Sequence, residues 1–497
     1  MIIVKEPSAL NEALRAASET RSLKIGPDAT RETARIFHEL FGNQPAIIVA
    51  DENTFHAGGE KVAESFRAAQ QPMLPPFIFH SPRLYAEHEF VVALETALKK
   101  HKAIPIAVGS GTINDLTKLA SHRAGRQYIS VATAASMDGY TAFGASITFQ
   151  GSKQTFQCPA PAAVVADLNV LCAAPAIMNA WGYADLVAKI TAGADWIVAD
   201  ALGEEAIVPE AWNIVQSRLS ILVGDARGVG AADPKTIARL VEGLILCGFA
   251  MQATKSSRSA SGAEHQFSHL WDMQHHLNNG ISPSHGFKVG IGTLAVTALY
   301  DSLLKKRLED LDVENLCSSW PDQSAWVRQA RQMFGFGELG AVAAQEIAEK
   351  SCDPESLRVQ LQGLCESWPQ LKERLHRQLI PFNTLKGMLK AAGAPTEPEQ
   401  IGITRERLRA SFLQAYFIRR RFTVLDLAVR AGLLDQCLEE IFGPRGFWPD
   451  SAQPHSVVIN QGGSGASFPA SARNLSAGVD GKQMYLNRHN SDASALL

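Results

Sequence analysis

The 497-residue chain has no excess of basic charge: 47 Lys and Arg against 50 Asp and Glu leave a formal net charge of -3. A protein that tracks a phosphate backbone needs a cationic surface, so small molecules are the expected partners and nucleic acid is not. Cysteine is sparse too. The seven thiols, at 158, 172, 247, 317, 352, 365 and 437, are odd in number and form no CxxC pair. That argues against a zinc ribbon or a disulfide framework and suits buried thiols in a reducing compartment. No run of 18 uncharged apolar residues occurs, and the most apolar stretch, PAPAAVVADLNVLCAAPAIM, is broken by Asp167 and by prolines. A membrane span is therefore not expected. The opening MIIVKEPSALNEALRAASET returns to charge too early for a secretory signal, so the expected location is cytoplasmic. There is no internal repeat.

At 46% hydrophobic and 20% charged residues, the composition is that of an ordinary soluble globular protein with room for two or three cores. From about residue 22 to 170, β-branched runs such as AIIVADENT, PPFIFH, IPIAVG and QYISVAT alternate with helical patterns such as GGEKVAESFRAAQ and HEFVVALETALKK. That alternation predicts a parallel sheet flanked by helices. Beyond about 178 the strand signals fade, and segments such as ARLVEGLILCGFAMQ place apolar residues at helical spacing. The expected architecture is an α/β N-terminal domain with a Rossmann-like sheet (1–172) followed by an all-α domain (173–449), with the ligand cleft between them. Residues 450–497, rich in Ser, Gly, Ala and Asn, are expected to form a poorly ordered tail.

The stretch IPIAVGSGTINDLTKLAS runs from a buried strand through Gly109, Ser110, Gly111 and Thr112 into a helix carrying Asn114 and Asp115. Such a turn can present backbone N–H groups to an anion, or can simply be a tight strand-to-helix turn. It falls short of GxGxxG, and the candidate ribose acid, Asp51, precedes the loop instead of following it, which disfavours an ordinary dinucleotide fold. After QYISVAT, Thr133, Ser136 and Asp138 stand at a strand's carboxyl end, where open α/β sheets bind ligands, although Asp138–Gly139 could equally be a turn. Asp185 and Lys189 share a helical face, and by themselves read as a surface ion pair.

Five of the 14 histidines fall within residues 261–294. His265 and His269 are four apart and would stack on one helical face, a spacing for metal binding or proton transfer, though more often structural. One carboxylate with two imidazoles, such as Asp185, His265 and His285, would suit a divalent cation acting as a Lewis acid.

Taken in order, GSGTINDLTK, SMDGYTAFGAS, GYADLVAK, SRSASGAEHQFSH and SHGFKVGIGTL resemble the sn-glycerol-1-phosphate dehydrogenases, especially their bacterial branch. These lie within the superfamily of iron-containing alcohol dehydrogenases, glycerol dehydrogenases and dehydroquinate synthases. The resemblance runs from about 20 to 449 and implies NAD(P)H-dependent reduction of dihydroxyacetone phosphate to sn-glycerol 1-phosphate. It implies a metal, zinc or nickel with iron also suitable, on Asp185, His265 and His285. His269 is then not a ligand but faces substrate beside Asp138. Gly109, Ser110, Gly111, Asn114 and Asp115 become the pyrophosphate loop, and Asp51, Thr133 and Ser136 become cofactor contacts. Where related sequences read SRPASG this chain has Ser259, and Arg258 is the candidate phosphate receptor with Lys189 as a second. His275 and His276 are left as helix or loop surface. A homodimer or larger homo-oligomer is expected from the resemblance. The rival readings are a polyol dehydrogenase, a dehydroquinate synthase-like lyase and a non-catalytic nucleotide-binding regulator.

Overall fold

The alternation of strands and helices between 22 and 167 closes into a six-stranded sheet. The computed structural model describes residues 9–81, 84–149 and 152–449, so the expected tail lies outside the described residues. The strands are β1 (Ser22–Gly26), β2 (Ala46–Asp51), β3 (Phe77–Phe79), β4 (Ile104–Gly109), β5 (Ile129–Ala132) and β8 (Ala163–Asp167). All pair in parallel, in the order β1-β8-β5-β4-β2-β3. Both faces are covered, which is why these strands read as continuous apolar runs. Ile48 and Ala50 point to the face packed by Phe37, Val62 and Phe66, while Ile47 and Val49 point to the face packed by Val91, Leu94 and Leu116. That is the period-two alternation of a strand.

The chain leaves β2 on one side toward β3 and returns on the other to β4. This reversal of strand order opens a crevice at the carboxyl edge between β2 and β4, the usual place for a ligand on an open α/β sheet. The acid at the end of β2 and the glycine loop after β4 therefore meet in space although their sequence order is reversed.

Two short strands, β6 (Ala145–Phe149) and β7 (Ser152–Phe156), form an antiparallel hairpin that the sequence pattern did not predict. At five residues each they are too short to display a period.

Beyond β8, every helix or strand among the described residues is a helix. The helix Pro234–Thr254 is long and apolar enough to cross a bilayer by length and composition, but 78% of its most apolar window is buried within the protein. It is a core helix, and its Gln252 donates to Thr141 O and accepts from the Glu19 and Thr20 amides, tying the helical half to the sheet.

Candidate metal centre and cofactor cleft

Three helices bring the chemistry-bearing groups together. Asp185 lies near the end of Ala176–Val187, His265 in the first turn of Ala263–Met273, and His285 opens His285–Leu303. The last helix is started by Ser284, whose hydroxyl accepts from the Phe287 amide, the usual role of an N-cap serine. Close approach depends on two glycines. A Cβ on Gly286 would lie 2.1 Å from Trp181 O, and one on Gly292 would lie 2.5 Å from Glu264 O. No other residue lets the His285 helix sit so near both partners.

Ligand atoms of Asp185, His265 and His285 consequently fall within 4.8 Å of one another. His265 Nε2 is 3.6 Å from Asp185 Oδ1, while its Nδ1 is 2.8 Å from Glu264 Oε1. Glu264 thus turns the other nitrogen toward the cluster, an arrangement common behind metal-bound histidines. Burial, with the charge of Lys153, lowers the His285 imidazole to about 3, so its lone pair is free to bind a cation. Burial alone would raise Asp185, but Lys189 and His265 outweigh it and hold the carboxylate ionised, well below the usual range. One carboxylate, two imidazoles and a supporting acid fit a divalent cation.

Asp138 approaches from the sheet side. Its amide donates to Asp185 Oδ2 at 3.1 Å, and its carboxylate is 2.6 Å from Lys189 Nζ, which also donates to Asp185 Oδ1 at 2.8 Å. Asp185 and Lys189 are therefore not the surface pair that spacing suggested: both are fully buried. Lys189 is the shared counter-ion of two carboxylates. Burial and the nearby Asp185 raise the Asp138 carboxyl against the pull of Lys189.

His269 lies beside this cluster, its ring centre 6.5 Å from that of His265 and 6.4 Å from that of His285. Its Nδ1 is buried with no hydrogen-bond partner among the described residues. Burial, then Arg419 and Lys153, keep the imidazole neutral well below its ordinary range. His275 is exposed, as expected. His276 is not surface: it is buried, with Nε2 2.7 Å from Ile401 O and Nδ1 2.8 Å from Arg407.

At the sheet edge Asp51, Gly109 and Thr133 end or follow the neighbouring strands β2, β4 and β5, and the Thr133 amide donates to Gly109 O. Gly111 opens the helix Gly111–Arg123, so the N–H groups of its first turn face the crevice without intrahelical partners. Asp51 caps its own following turn, accepting from the Thr54 amide through Oδ1. Ser136, in the loop after β5, is buried.

Asn114 and Asp115, expected in the pyrophosphate loop, make their side-chain contacts within the protein. The Asn114 side chain donates to Asp115 and Gly139 O and accepts from Tyr128, and Asp115 accepts from the Ser146 amide. Both side chains bind the neighbouring segment, because the helix turns them inward. Arg258, the candidate phosphate receptor, is buried, donates to Phe422 O and Asp195 O at 2.8 Å, and lies 3.3 Å from Glu205. Two of its donors are committed to protein carbonyls, while its Nε has no hydrogen-bond partner among the described residues.

Sequence reasoning missed Glu264 and Lys118. Glu264 directly precedes a histidine, and adjacent helical positions carry no facing signal. Lys118 is buried and donates to Gly139 O, Ala142 O and Gly144 O at 2.9–3.1 Å, clamping the Asp138 loop onto the glycine-loop helix. Nothing in its helical spacing announces this.

A family model for iron-containing alcohol dehydrogenases matches residues 24–175. A glycerol-1-phosphate dehydrogenase (NAD(P)+) of Halalkalibacterium halodurans is 34% identical over 318 residues, 61% of this chain and 79% of that one. The chain belongs to the glycerol-1-phosphate dehydrogenase family. The likeness to the glycerol-1-phosphate dehydrogenase of Geobacillus thermodenitrificans is longer, at 30% over 416 residues, 80% of this chain and 92% of the relative. Among solved structures, glycerol dehydrogenase from Schizosaccharomyces pombe superposes with a TM-score of 0.53 at 15% identity, covering 85% of this chain and 91% of its own. That likeness speaks for the shared fold of this dehydrogenase family and its neighbours.

Proposed function

We propose that this chain reduces dihydroxyacetone phosphate to sn-glycerol 1-phosphate with NAD(P)H, in the cytoplasm, with residues 1–172 binding the nucleotide and 173–449 the metal and substrate. The observation that carries the reading is the Asp185, His265 and His285 cluster beside Asp138, in a chain 34% identical to a glycerol-1-phosphate dehydrogenase. Bound at these sites, a divalent cation supplies Lewis-acid polarisation of a carbonyl and a nicotinamide supplies hydride.

Asp185, His265 and His285 would hold the cation, with Glu264 fixing the His265 ring. The crevice between β2 and β4 would take the nucleotide, with the N–H groups after Gly109 toward the pyrophosphate and Asp51 toward the ribose hydroxyls. A carboxylate there favours the free hydroxyls over a 2′-phosphate. Asp138, raised by burial and Asp185, and neutral His269 would handle the proton. A neutral imidazole donates from one nitrogen while accepting at the other, so it passes a proton without storing charge.

The test is an NADH-consumption assay with dihydroxyacetone phosphate, followed by chiral analysis of the product. A polyol dehydrogenase would prefer unphosphorylated dihydroxyacetone, and a lyase would consume no NADH; either outcome overturns the proposal.

A further inference from the structure

The helix that carries His265 has no capping side chain of its own, because Gly262 stands at its N-cap. The Ala263 amide, first in that helix, is one of the donors a helix cannot satisfy internally. Asp195, on the helix Lys189–Ala201, supplies the acceptor: its Oδ2 lies 2.7 Å from the Ala263 nitrogen. The glycine is what admits it. A Cβ on Gly262 would lie 2.5 Å from Asp195 Oδ2 and 2.9 Å from Glu264 Oε2, so a side chain there would drive two carboxylates away from the start of the helix.

The same carboxylate, fully buried, reaches two further helices. Asp195 Oδ1 accepts from the Tyr300 hydroxyl at 2.6 Å, on the helix that His285 opens, and from the amide of Val424 at 2.9 Å, the first residue of Val424–Arg430. Arg258, in the loop leading into the His265 helix, donates to the Asp195 carbonyl at 2.8 Å. Thr191, one turn before Asp195 on the same helical face, donates to Glu264 Oε2 at 2.8 Å, and Glu264 Oε1 meets His265 Nδ1. One face of one buried helix thus holds both the backbone at the start of the His265 helix and the acid behind its ring. None of these Asp195 contacts is to Asp185, His265 or His285, so Asp195 can act on a bound cation only through the helices it joins.

We propose that Asp195 is a positioning residue of the metal centre: by accepting from the Ala263 amide and the Tyr300 hydroxyl it fixes the His265 helix against the His285 helix, and with it the separation of the two imidazoles. Their ring centres are 5.3 Å apart, and a metal site asks for ligand distances held to about 0.2 Å. A carboxylate suits the task because its two oxygens have lone pairs enough for all three donors at once. An amide in its place would turn an NH2 group toward the donors on one side. The inference rests on the reading of Asp185, His265 and His285 as metal ligands.

The test uses the full-length enzyme and its Asp195→Ala, Asp195→Asn and Tyr300→Phe variants. Asp233→Ala serves as a control, since it removes the cap of Pro234–Thr254, a helix that carries none of the three ligands. Zinc affinity is read by competition with a chromogenic chelator, the visible bands of cobalt-loaded protein report the ligand geometry, and calorimetry gives Tm. Asp195→Ala should weaken zinc binding on the order of 10- to 100-fold and shift the cobalt bands. Asp195→Asn should keep part of the affinity, because its one carbonyl oxygen still serves one side. Tyr300→Phe removes only the link to the His285 helix and should give a smaller loss of the same kind; it carries the test should Asp195→Ala fail to fold. Asp233→Ala should lower Tm and leave both metal readouts unchanged. Folded Asp195 and Tyr300 variants with wild-type zinc affinity and cobalt bands overturn the assignment, whatever their Tm, and so does an equal loss of zinc in Asp233→Ala. A wild-type enzyme that binds no divalent cation, or whose Asp185→Asn variant binds it equally well, instead overturns the reading of the ligands, and the two failures are read from different proteins.

Discussion

Glu264 Oε1 lies 2.8 Å from Nδ1 of His265, and both side chains are buried. The same carboxylate accepts from the Gly262 amide and the Thr191 hydroxyl, so it is held in place independently of the histidine. Replacing it should weaken metal binding by roughly 10- to 100-fold, with Glu264→Gln losing less than Glu264→Ala because an acceptor oxygen remains. Competition with a chromogenic chelator measures this directly. Unchanged affinity in both variants would exclude the role.

Asp185→Asn and His265→Ala should lose bound metal and catalytic activity together. Elemental analysis of the purified variants, alongside the NADH assay, checks the coupling. Chelation of the wild type should abolish activity, and restoring the divalent cation should return it. A metal-free variant with full activity would end the proposal of a metal-dependent reaction.

Gly286→Ala places a methyl group 2.1 Å from Trp181 O. The His285 helix must then move away from the Asp185 helix, with overpacking costing about 1–3 kcal/mol. Differential scanning calorimetry should show a lower Tm, and the same preparation should hold less metal. A variant with wild-type Tm and metal content would show that the helices tolerate separation.

Lys118→Met would leave the carbonyls of Gly139, Ala142 and Gly144 without their buried donor. Several unmet acceptors should cost roughly 3 kcal/mol or more, seen as a lower denaturant midpoint. Because Asp138 sits on this loop, kcat should fall as well. A loss of stability without loss of kcat would confine Lys118 to the fold.

Asp195 supplies a pH dependence whose sign can be worked out. Burial, reinforced by Glu264, raises its carboxyl to about 7. Between the ordinary carboxyl range near pH 4 and about pH 7, the folded state holds a proton that the unfolded chain releases. Its contribution to stability therefore declines as pH rises through that window, by at most about 1.4 kcal/mol per pH unit. Urea unfolding should show the wild type losing stability relative to Asp195→Asn over that range. Parallel profiles would remove Asp195 as the source.

Much of the site was legible because its signals are local. The strand-to-helix glycine loop, the HxxxH spacing and the five ordered motifs each sit within about a dozen residues. The parallel sheet was legible because strands buried on both faces must be apolar throughout. What the local signals did not carry was the surroundings of side chains whose role depends on them. Arg258 was the candidate phosphate receptor, with no sign in its spacing that it is buried against Phe422 O and Asp195 O, and Asp185 with Lys189 by themselves looked like a surface pair. His276 looked exposed, and the β6–β7 hairpin gave no periodic signal.

The sequence by itself determined the class of fold, the chemical types that could hold a cation and the family the chain resembles, since those depend on residue identity and short spacing. Tertiary structure alone decided which charges face one another. It buried Lys189 between Asp138 and Asp185, set Glu264 behind His265 and committed Arg258 to Asp195 O and Phe422 O. The physical reason is that an ionisable group's function follows from its desolvation and its neighbours, and several of those neighbours come from far along the chain, Asp185 standing 47 residues from Asp138 and Val424 standing 229 from Asp195.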